Sequence, residues 1–236
     1  MNEHLQQSLK NLSYSLRRYH VDDFYLRHAN DMLEATNVLD LGGDRVAKRG
    51  AFNLSAINHH VTYANLSPAK SPNVQCRAEC VPFKADSFDV VICSEVLEHL
   101  LDPVIVLREI FRVLRSQGTA LICVPFLNRI HADPFDYGRY TDYYWFQVLA
   151  AIGFRDIAIE SQGGFWTVLV EMVRYLICDK TMSWGPRRTW LINSLALTFA
   201  RMKTTAIAWD QDAAEKHDKR DPYGFTTGYG LKAVKP

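Results

Sequence analysis

The sequence predicts an α/β protein whose core is a doubly wound, mostly parallel β-sheet. Residues 88–93 are apolar except for Asp89 and are rich in β-branched side chains, and a strand that is apolar on both faces is typical of a parallel sheet covered by helices. A helix is expected soon afterwards, because Asp102 suits an N-cap and Pro103 suits the first helical position. The apolar residues from 107 to 114 then recur on one helical face. A strand followed by such a helix is half of a βαβ unit.

The other elements follow from the same patterns, taken in chain order. Helices are predicted at 3–19, 22–35, 103–114, 165–178 and 187–202. Another helix is predicted after residue 141, with Phe146, Leu149 and Ala150 on one face. Strands are predicted at 38–41, 61–66, 74–76, 88–93, 120–126 and 154–160, with a last strand within 226–235. The chain is interpreted as one domain, with N-terminal helices (1–36), a core (37–162), a helical insertion (163–205), a charged linker (206–225) and the last strand (226–236).

Composition and charge narrow the classes of function. The chain of 236 residues carries a net charge of +1, so it lacks the broad excess of Lys and Arg that suits phosphate binding, and no nucleic-acid partner is expected. Residues 1–11 are polar and lack the apolar centre of a signal peptide, which predicts a cytoplasmic protein. The five cysteines show no C-x-x-C spacing, so they are interpreted as reduced packing residues and no metal site is expected.

Two polar segments follow predicted strands, where a ligand would lie. Residues 42–44, Gly-Gly-Asp, come after the first strand, and a glycine-rich turn lets the backbone approach a ligand and offer N–H groups to it. Residues 94–99 are a polar cluster after the fourth strand. Ligands of open α/β sheets lie beyond the carboxyl ends of the strands, so a small-molecule site is predicted here. The turn is not G-x-G-x-x-G, which argues against a dinucleotide-dependent oxidoreductase.

Three segments carry a recognisable family pattern: VPF at 81–83, DSFDVVICSEVLEH at 86–99, and RVLRSQGTALICVPF at 112–126. Together they resemble the class I S-adenosylmethionine-dependent methyltransferases, in particular the methyltransferase type 11-like group, over residues 38–126. The resemblance implies a Rossmann-like fold with N-terminal helices and a helical insertion before an antiparallel last strand. It also implies S-adenosylmethionine as the cofactor.

The family's cofactor-binding positions can be carried onto this sequence. They fall on Asp40, Gly42, Gly43, Asp44, Asn65, Leu66, Ala78, Glu79, Ser94, Glu95 and His99. Three positions depart from the family pattern: Asp44 replaces a glycine, Asn65 replaces the acidic residue that binds the ribose hydroxyls, and Arg77 replaces the aspartate that accepts from the adenine amine. Asn65 is expected to hold one hydroxyl. Either Glu79 or the backbone of Ala78 then recognises the adenine, or the ligand differs.

The loop after the fifth strand is the candidate catalytic segment. His131 is the first candidate for the base that removes a proton from the methyl acceptor, with a solvated loop histidine as the alternative. Asp136 is expected to orient His131 or to replace it, or else to form an ion pair with Arg139 that shapes the loop. Tyr137 and Arg139 would contact the acceptor. A similar loop in methyltransferase-like proteins encoded with bacterial polysaccharide biosynthesis implies a carbohydrate or lipid-linked acceptor.

The sequence therefore predicts a methyltransferase that uses S-adenosylmethionine on a small, carbohydrate or lipid-linked acceptor. Two alternatives remain open. One is a binding or scaffold protein of the same fold with weakened cofactor binding, because of the departures at Asp44, Asn65 and Arg77. The other is a nucleotide- or nucleotide-sugar-binding enzyme. Apolar and basic residues within 165–203 suit ordinary packing, a homo-oligomer contact or a peripheral membrane contact.

Overall fold

A computed structural model describes residues 14–46, 50–131, 134–178, 185–216 and 224–236. The helices are α1 (Leu16–Arg27), α2 (Ala29–Leu33), α3 (Leu54–Ile57), α4 (Pro103–Val113), α5 (Asp142–Ile152), α6 (Phe165–Cys178) and α7 (Gly185–Lys216), with 3₁₀ turns at Pro68–Lys70 and Leu97–His99. The strands are β1 (Val38–Leu41), β2 (Val61–Asn65), β3 (Val74–Gln75), β4 (Phe88–Ser94), β5 (Leu114–Pro125), β6 (Arg155–Ser161) and β7 (Gly228–Val234).

The strands form one sheet in the order β3-β2-β1-β4-β5-β7-β6. The pairs β1–β2, β1–β4, β2–β3 and β4–β5 are parallel. The last strand, β7, is antiparallel to β5, with Thr119 opposite Val234 and Pro125 opposite Gly228. The predicted fold class is therefore confirmed, and the final strand lies between β5 and β6.

The sheet buries apolar side chains on both faces. Val91 and Cys93 of β4 belong to a buried cluster that includes α4 and α5, whereas Val90 and Ile92 belong to a second cluster with residues of α1. Successive side chains of a strand point to opposite faces, so covering both faces requires apolar residues at consecutive positions. This explains the apolar run at 90–93 in β4.

Two helix predictions need correction. Helices were predicted at 3–19 and 22–35, and residues 3–13 lie outside the described set. Helix α1 continues through the predicted boundary near residue 20 to Arg27, because no glycine or proline interrupts this segment, and the second predicted helix is divided at His28. On α5 the predicted apolar face is displaced by one residue. Trp145 and Leu149 are buried, whereas Phe146 is 44% exposed.

The described residues divide into two compact units. One contains the described residues up to His20 and those from Ser161 to Thr227, and the other contains Val21–Glu160 and Gly228–Pro236. The single-domain interpretation stays a prediction. No helix within the described ranges is long and apolar enough to cross a membrane. The predicted contact surface at 165–203 falls partly on residues outside the described set.

The start of α6 is held by a carboxylate from α7. Asp210 accepts hydrogen bonds from the backbone N–H groups of Gly164 (2.9 Å), Trp166 (3.0 Å) and Thr167 (2.9 Å). Asp210 had been assigned to a charged linker beginning at residue 206, and this assignment is wrong over 206–216, where α7 continues. The helix continues because it has a buried face, on which Ala206 and Asp210 lie four residues apart.

We expect Asp210→Ala to destabilise the unit that contains α6. The substitution removes the acceptor from three backbone donors at a helix start, which corresponds to a loss of about 2 kcal/mol in the free energy of unfolding. Urea denaturation followed by circular dichroism measures it. The matched control is Asp212→Ala on the same helix, whose exposed side chain pairs with Lys216. Equal stability of the two variants would contradict the capping role.

Candidate active site

The carboxyl ends of three neighbouring strands form the candidate site. Leu41, the last residue of β1, is paired with Ala64 of β2 on one side and Cys93 of β4 on the other. Gly42, which follows β1, therefore lies beside Asn65 and Ser94, the last residues of β2 and β4. The predicted polar segments meet at this sheet edge, and a small-molecule site there stays a prediction.

The turn after β1 has no room for side chains at its glycines. Gly42 has φ +89°, and its N–H donates to the carbonyl of Ala64 at 2.7 Å. A Cβ atom at Gly42 would lie 2.3 Å from Cγ2 of Val96, and one at Gly43 would lie 2.0 Å from Oδ2 of Asp40. Gly42 therefore requires glycine in this conformation, whereas the overlap at Gly43 involves the end of the flexible Asp40 side chain, which can move aside.

Asn65 closes this turn instead of leaving its amide for a ligand. Its Nδ2 donates to the carbonyls of Gly42 (2.7 Å) and Gly43 (3.0 Å), and its Oδ1 accepts from the N–H of Ser67 (2.9 Å). An aspartate has no donor for the two carbonyls. The departure from the family pattern at this position thus has a structural use, and the predicted contact of Asn65 with a ribose hydroxyl stays a prediction.

We expect Asn65→Asp to destabilise the ligand-free protein by about 1–3 kcal/mol, because a carboxylate would face two carbonyl oxygens without a proton to donate. Thermal denaturation without ligand measures this loss. Asn30→Asp, which introduces the same charge at an exposed position of α2, is the control. Unchanged stability of Asn65→Asp would show that the amide does not hold the turn.

Asp44 and Arg77, the other two departures from the family pattern, also pair with nearby side chains. Asp44 pairs with Nζ of Lys70 at 3.0 Å, and its Oδ1 accepts from the N–H of Val46 at 3.0 Å. Arg77 forms an ion pair with Glu79, and its side chain is 68% exposed. A mostly exposed guanidinium does not fill the turn after β1. Leu66, at the end of β2, is 59% exposed and offers an apolar surface at the same edge.

Asp136 organises the loop after β5. Its carboxylate accepts from the backbone N–H of His131 at 2.9 Å and forms a two-pronged ion pair with Arg139. The loop is tied to the 3₁₀ turn at Leu97–His99, because the N–H of Tyr137 donates to the carbonyl of Glu98 at 2.7 Å. Arg139, together with the N–H of His131, lowers the pKa of Asp136 to about 2. Asp136 is therefore ionised near neutral pH and unsuited to accept a proton.

The ion pair of Asp136 predicts a distinct response to acid. Its pKa in the folded protein is about 2, below its ordinary value of 3.8, so its contribution to stability is complete above pH 3.8 and is lost as the pH falls towards 2. We expect Asp136→Asn to lower stability at neutral pH and to flatten its further decrease in that acid range. Urea titrations at several pH values test this, with Asp142→Asn, an exposed aspartate of α5, as the control. A parallel pH profile for Asp136→Asn and the unmodified chain would contradict it.

The structure also brings together Glu98, His99 and His131. Nε2 of each histidine lies 3.7 Å from Oε1 of Glu98, and the side chain of Glu98 is only 1% exposed. Glu98 belongs to the predicted polar cluster at 94–99, but no individual role was assigned to it. The available signal was the E-x-x-E-H pattern at 95–99, in which the second glutamate directly precedes a predicted site histidine. Their convergence with His131 depends on the loop after β5, which no local pattern determines.

Comparison with known proteins shows that the chain is similar to methyltransferases in both sequence and structure. The family described as "Methyltransferase domain" matches residues 45–122. The Ubiquinone/menaquinone biosynthesis C-methyltransferase UbiE of Xylella fastidiosa (strain M12) is 32% identical over 117 residues, which covers 50% of this chain and 38% of that protein. The chloroplastic 2-methyl-6-phytyl-1,4-hydroquinone methyltransferase of Spinacia oleracea is 31% identical over 152 residues, covering 55% and 42%. The chain thus spans about two fifths of the length of these relatives.

Solved structures agree on the fold. A SAM-dependent methyltransferase from Archaeoglobus fulgidus superposes with a TM-score of 0.55 at 16% identity, over 91% of this chain and 93% of that one. Phosphoethanolamine N-methyltransferase 2 of Haemonchus contortus, solved with S-adenosyl-L-methionine, gives a TM-score of 0.50 at 18% identity, over 89% and 52%. This chain therefore has the class I methyltransferase fold.

Most of the predicted cofactor positions lie along the edge formed by β1, β2 and β4. Asp40 lies in β1, Gly42 and Gly43 form the glycine turn, Asn65 closes it, and Ser94 ends β4 just before Glu95. Three residues to which the sequence pattern assigned no individual role also contact this arrangement: Val96, which packs on Gly42, Lys70, which pairs with Asp44, and Glu98.

Proposed function

We propose that this chain transfers the methyl group of S-adenosylmethionine to a small molecule that carries a hydroxyl group. The observation that carries the proposal is the proximity of the glycine turn to an acid–base cluster. Val96 packs against Gly42, and two residues later the buried carboxylate of Glu98 lies 3.7 Å from Nε2 of His131. The donor and the proton acceptor would therefore act at one sheet edge.

His131 has the tautomer that a base needs. Its Nδ1 lies 3.1 Å from the carbonyl of Arg129, and since a carbonyl can only accept, Nδ1 must carry the proton. In the neutral ring Nε2 then holds a lone pair, on the side that faces Glu98. Asp136 acts as a positioning residue, because it fixes the backbone of His131 and remains ionised.

The reaction follows from these positions. Nε2 of His131 takes the proton of the acceptor hydroxyl, and the oxygen, or the ring carbon activated by it in a phenol, forms a bond with the methyl carbon. In the second case the methylated ring carbon then loses its hydrogen as a proton to solvent, and the oxygen regains a proton, so that the ring becomes aromatic again. The bond between sulfur and that carbon breaks, and its electron pair remains on sulfur, which leaves S-adenosylhomocysteine. The imidazolium that forms is stabilised by the carboxylate of Glu98.

Two classes of acceptor are consistent with this reaction. The curated relatives are named for quinone and hydroquinone methylation, and a hydroquinone offers a phenolic hydroxyl. The loop around Tyr137 instead resembles proteins linked to polysaccharide biosynthesis, which favours a carbohydrate or lipid-linked hydroxyl. Arg139 is engaged by Asp136, so Tyr137, whose side chain is 48% exposed, is the better contact for either acceptor.

Calorimetric titration of the purified chain with S-adenosylmethionine and S-adenosylhomocysteine tests the proposal. Micromolar binding of both supports it. If neither ligand gives a heat of binding, and circular dichroism shows that the protein remains folded, the chain would instead be a binding or scaffold protein. Stabilisation by a nucleotide sugar alone would indicate the nucleotide-sugar-binding alternative. Methyl transfer from labelled cofactor to a hydroquinone or to a sugar acceptor then separates the two acceptor classes.

A further inference from the structure

Glu98, His99 and His131 are arranged as a ligand set for a cation. The nitrogen and oxygen atoms that they can offer all lie within 4.8 Å of one another, and two of the separations are 3.7 Å. A cation with bonds of about 2.1 Å in a tetrahedral site separates its ligands by about 3.4 Å. Small side-chain movements would therefore bring all three groups to coordinating distance.

Both histidines are oriented by hydrogen bonds on the opposite side of the ring. Nδ1 of His99 lies 2.6 Å from the carbonyl of Phe135, and Nδ1 of His131 lies 3.1 Å from the carbonyl of Arg129. Carbonyl oxygens only accept, so each Nδ1 donates and each Nε2 holds the lone pair that faces Glu98. Metal-binding histidines in proteins are typically fixed in this way, by a carbonyl or carboxylate on the other ring nitrogen.

Burial also favours a cation at this position. The side chain of Glu98 is 1% exposed, whereas His99 and His131 are 19% and 34% exposed. Burying a carboxylate costs several kcal/mol unless positive charge or hydrogen bonds compensate it. A cation between the two imidazoles would place its charge against this carboxylate, and the partly exposed histidines leave a route for water or a ligand to the remaining coordination positions.

We infer that Glu98, His99 and His131 bind a divalent first-row transition cation of the Zn²⁺, Fe²⁺ or Mn²⁺ class. Two imidazole nitrogens and one carboxylate oxygen suit these ions, and three protein ligands leave positions open, as in catalytic sites. Mg²⁺ and Ca²⁺ prefer sets of oxygen ligands and are expected to bind weakly. The spacing of the cysteines predicts no metal site, whereas this cluster consists of histidine and glutamate side chains.

The role of this cation rests on the proposed function. A hydroxyl of the acceptor bound at an open position would lose its proton to solvent more easily, and the resulting oxyanion would attack the methyl carbon. With the cation bound, His131 serves as a ligand and the proton passes to solvent; without the cation, Nε2 of His131 accepts the proton as in the proposed function. A chelator should accordingly change the rate of methyl transfer, and adding back the cation should restore the original rate.

The binding test uses the full chain without a histidine tag. The protein is stripped with a chelator and titrated with Co²⁺, whose visible absorption reports nitrogen and oxygen ligands, and then with Zn²⁺, Mn²⁺ and Mg²⁺ in competition. We expect one equivalent of Co²⁺ to bind and Mg²⁺ to compete poorly. Glu98→Gln and His131→Ala should each weaken binding by about 100-fold or more. The control is His59→Ala, an exposed histidine outside the cluster, which should bind Co²⁺ as the unmodified chain does.

The outcomes separate this inference from the proposed function. Absence of a Co²⁺ spectrum in folded protein that still binds S-adenosylmethionine would overturn the metal site alone. The metal site would also be overturned if Glu98→Gln and His131→Ala, both shown to be folded by circular dichroism, bind Co²⁺ as tightly as His59→Ala. If the chain binds the metal but does not bind S-adenosylmethionine, the metal site would be supported and the proposed methyl transfer would be refuted.

Discussion

Replacing Gly42 with alanine should abolish binding of S-adenosylmethionine at concentrations at which the unmodified chain is saturated. The residue has φ +89°, which costs an alanine about 1 kcal/mol, and the new Cβ would lie 2.3 Å from Cγ2 of Val96. Because Val96 packs against the turn, relief of this overlap must displace the turn from β4. A combined cost of about 3 kcal/mol corresponds to roughly 100-fold weaker binding. Calorimetric titration measures it.

The matched control for this prediction is Gly153→Ala. Gly153 also has a positive φ, +114°, at the end of α5, but the nearest atom to its Cβ position is 3.4 Å away, in the ring of Phe111. Both variants should therefore lose stability through backbone strain, whereas only Gly42→Ala should lose the cofactor. Normal binding by Gly42→Ala, or equal loss in both variants, would rule out a specific role for the turn.

The second large effect is expected for His131→Ala, which should lower turnover by about 100- to 10,000-fold while leaving the affinity for S-adenosylmethionine nearly unchanged. The ring belongs to the loop after β5 and is 34% exposed, so its removal should not disturb the glycine turn. Single-turnover methyl transfer and calorimetry measure the two quantities separately. His59→Ala serves again as the control for loss of an exposed histidine.

Added imidazole distinguishes the two ways in which His131 could act. If Nε2 removes the proton, imidazole should partly restore turnover of His131→Ala without added metal. If His131 holds a cation, recovery should need both imidazole and the cation. Turnover of His131→Ala at the level of the unmodified chain would exclude both roles.

Local sequence patterns predicted the sheet because they reflect burial, which acts residue by residue. The apolar run of β4 results from burial of the strand. The N-cap at Asp102 results from its carboxylate, which accepts from the N–H of Val104 at 3.0 Å. Both causes act within a few residues of the chain. The family pattern likewise located the glycine turn. Predictions failed where a distant residue determines the outcome. The apparent linker at 206–216 is helical, because Asp210 is buried against the start of α6.

The sequence by itself determined the fold class, most strand positions and the edge of the sheet at which a ligand would bind, since these depend on periodicity and on short-range capping. Only the tertiary structure decided what the polar residues do at that edge. It turned the amide of Asn65 towards two carbonyls of the turn, and it brought His131 to Glu98 across 33 positions of the chain. Such contacts depend on how a loop folds back over the sheet, and no spacing in the sequence specifies that path.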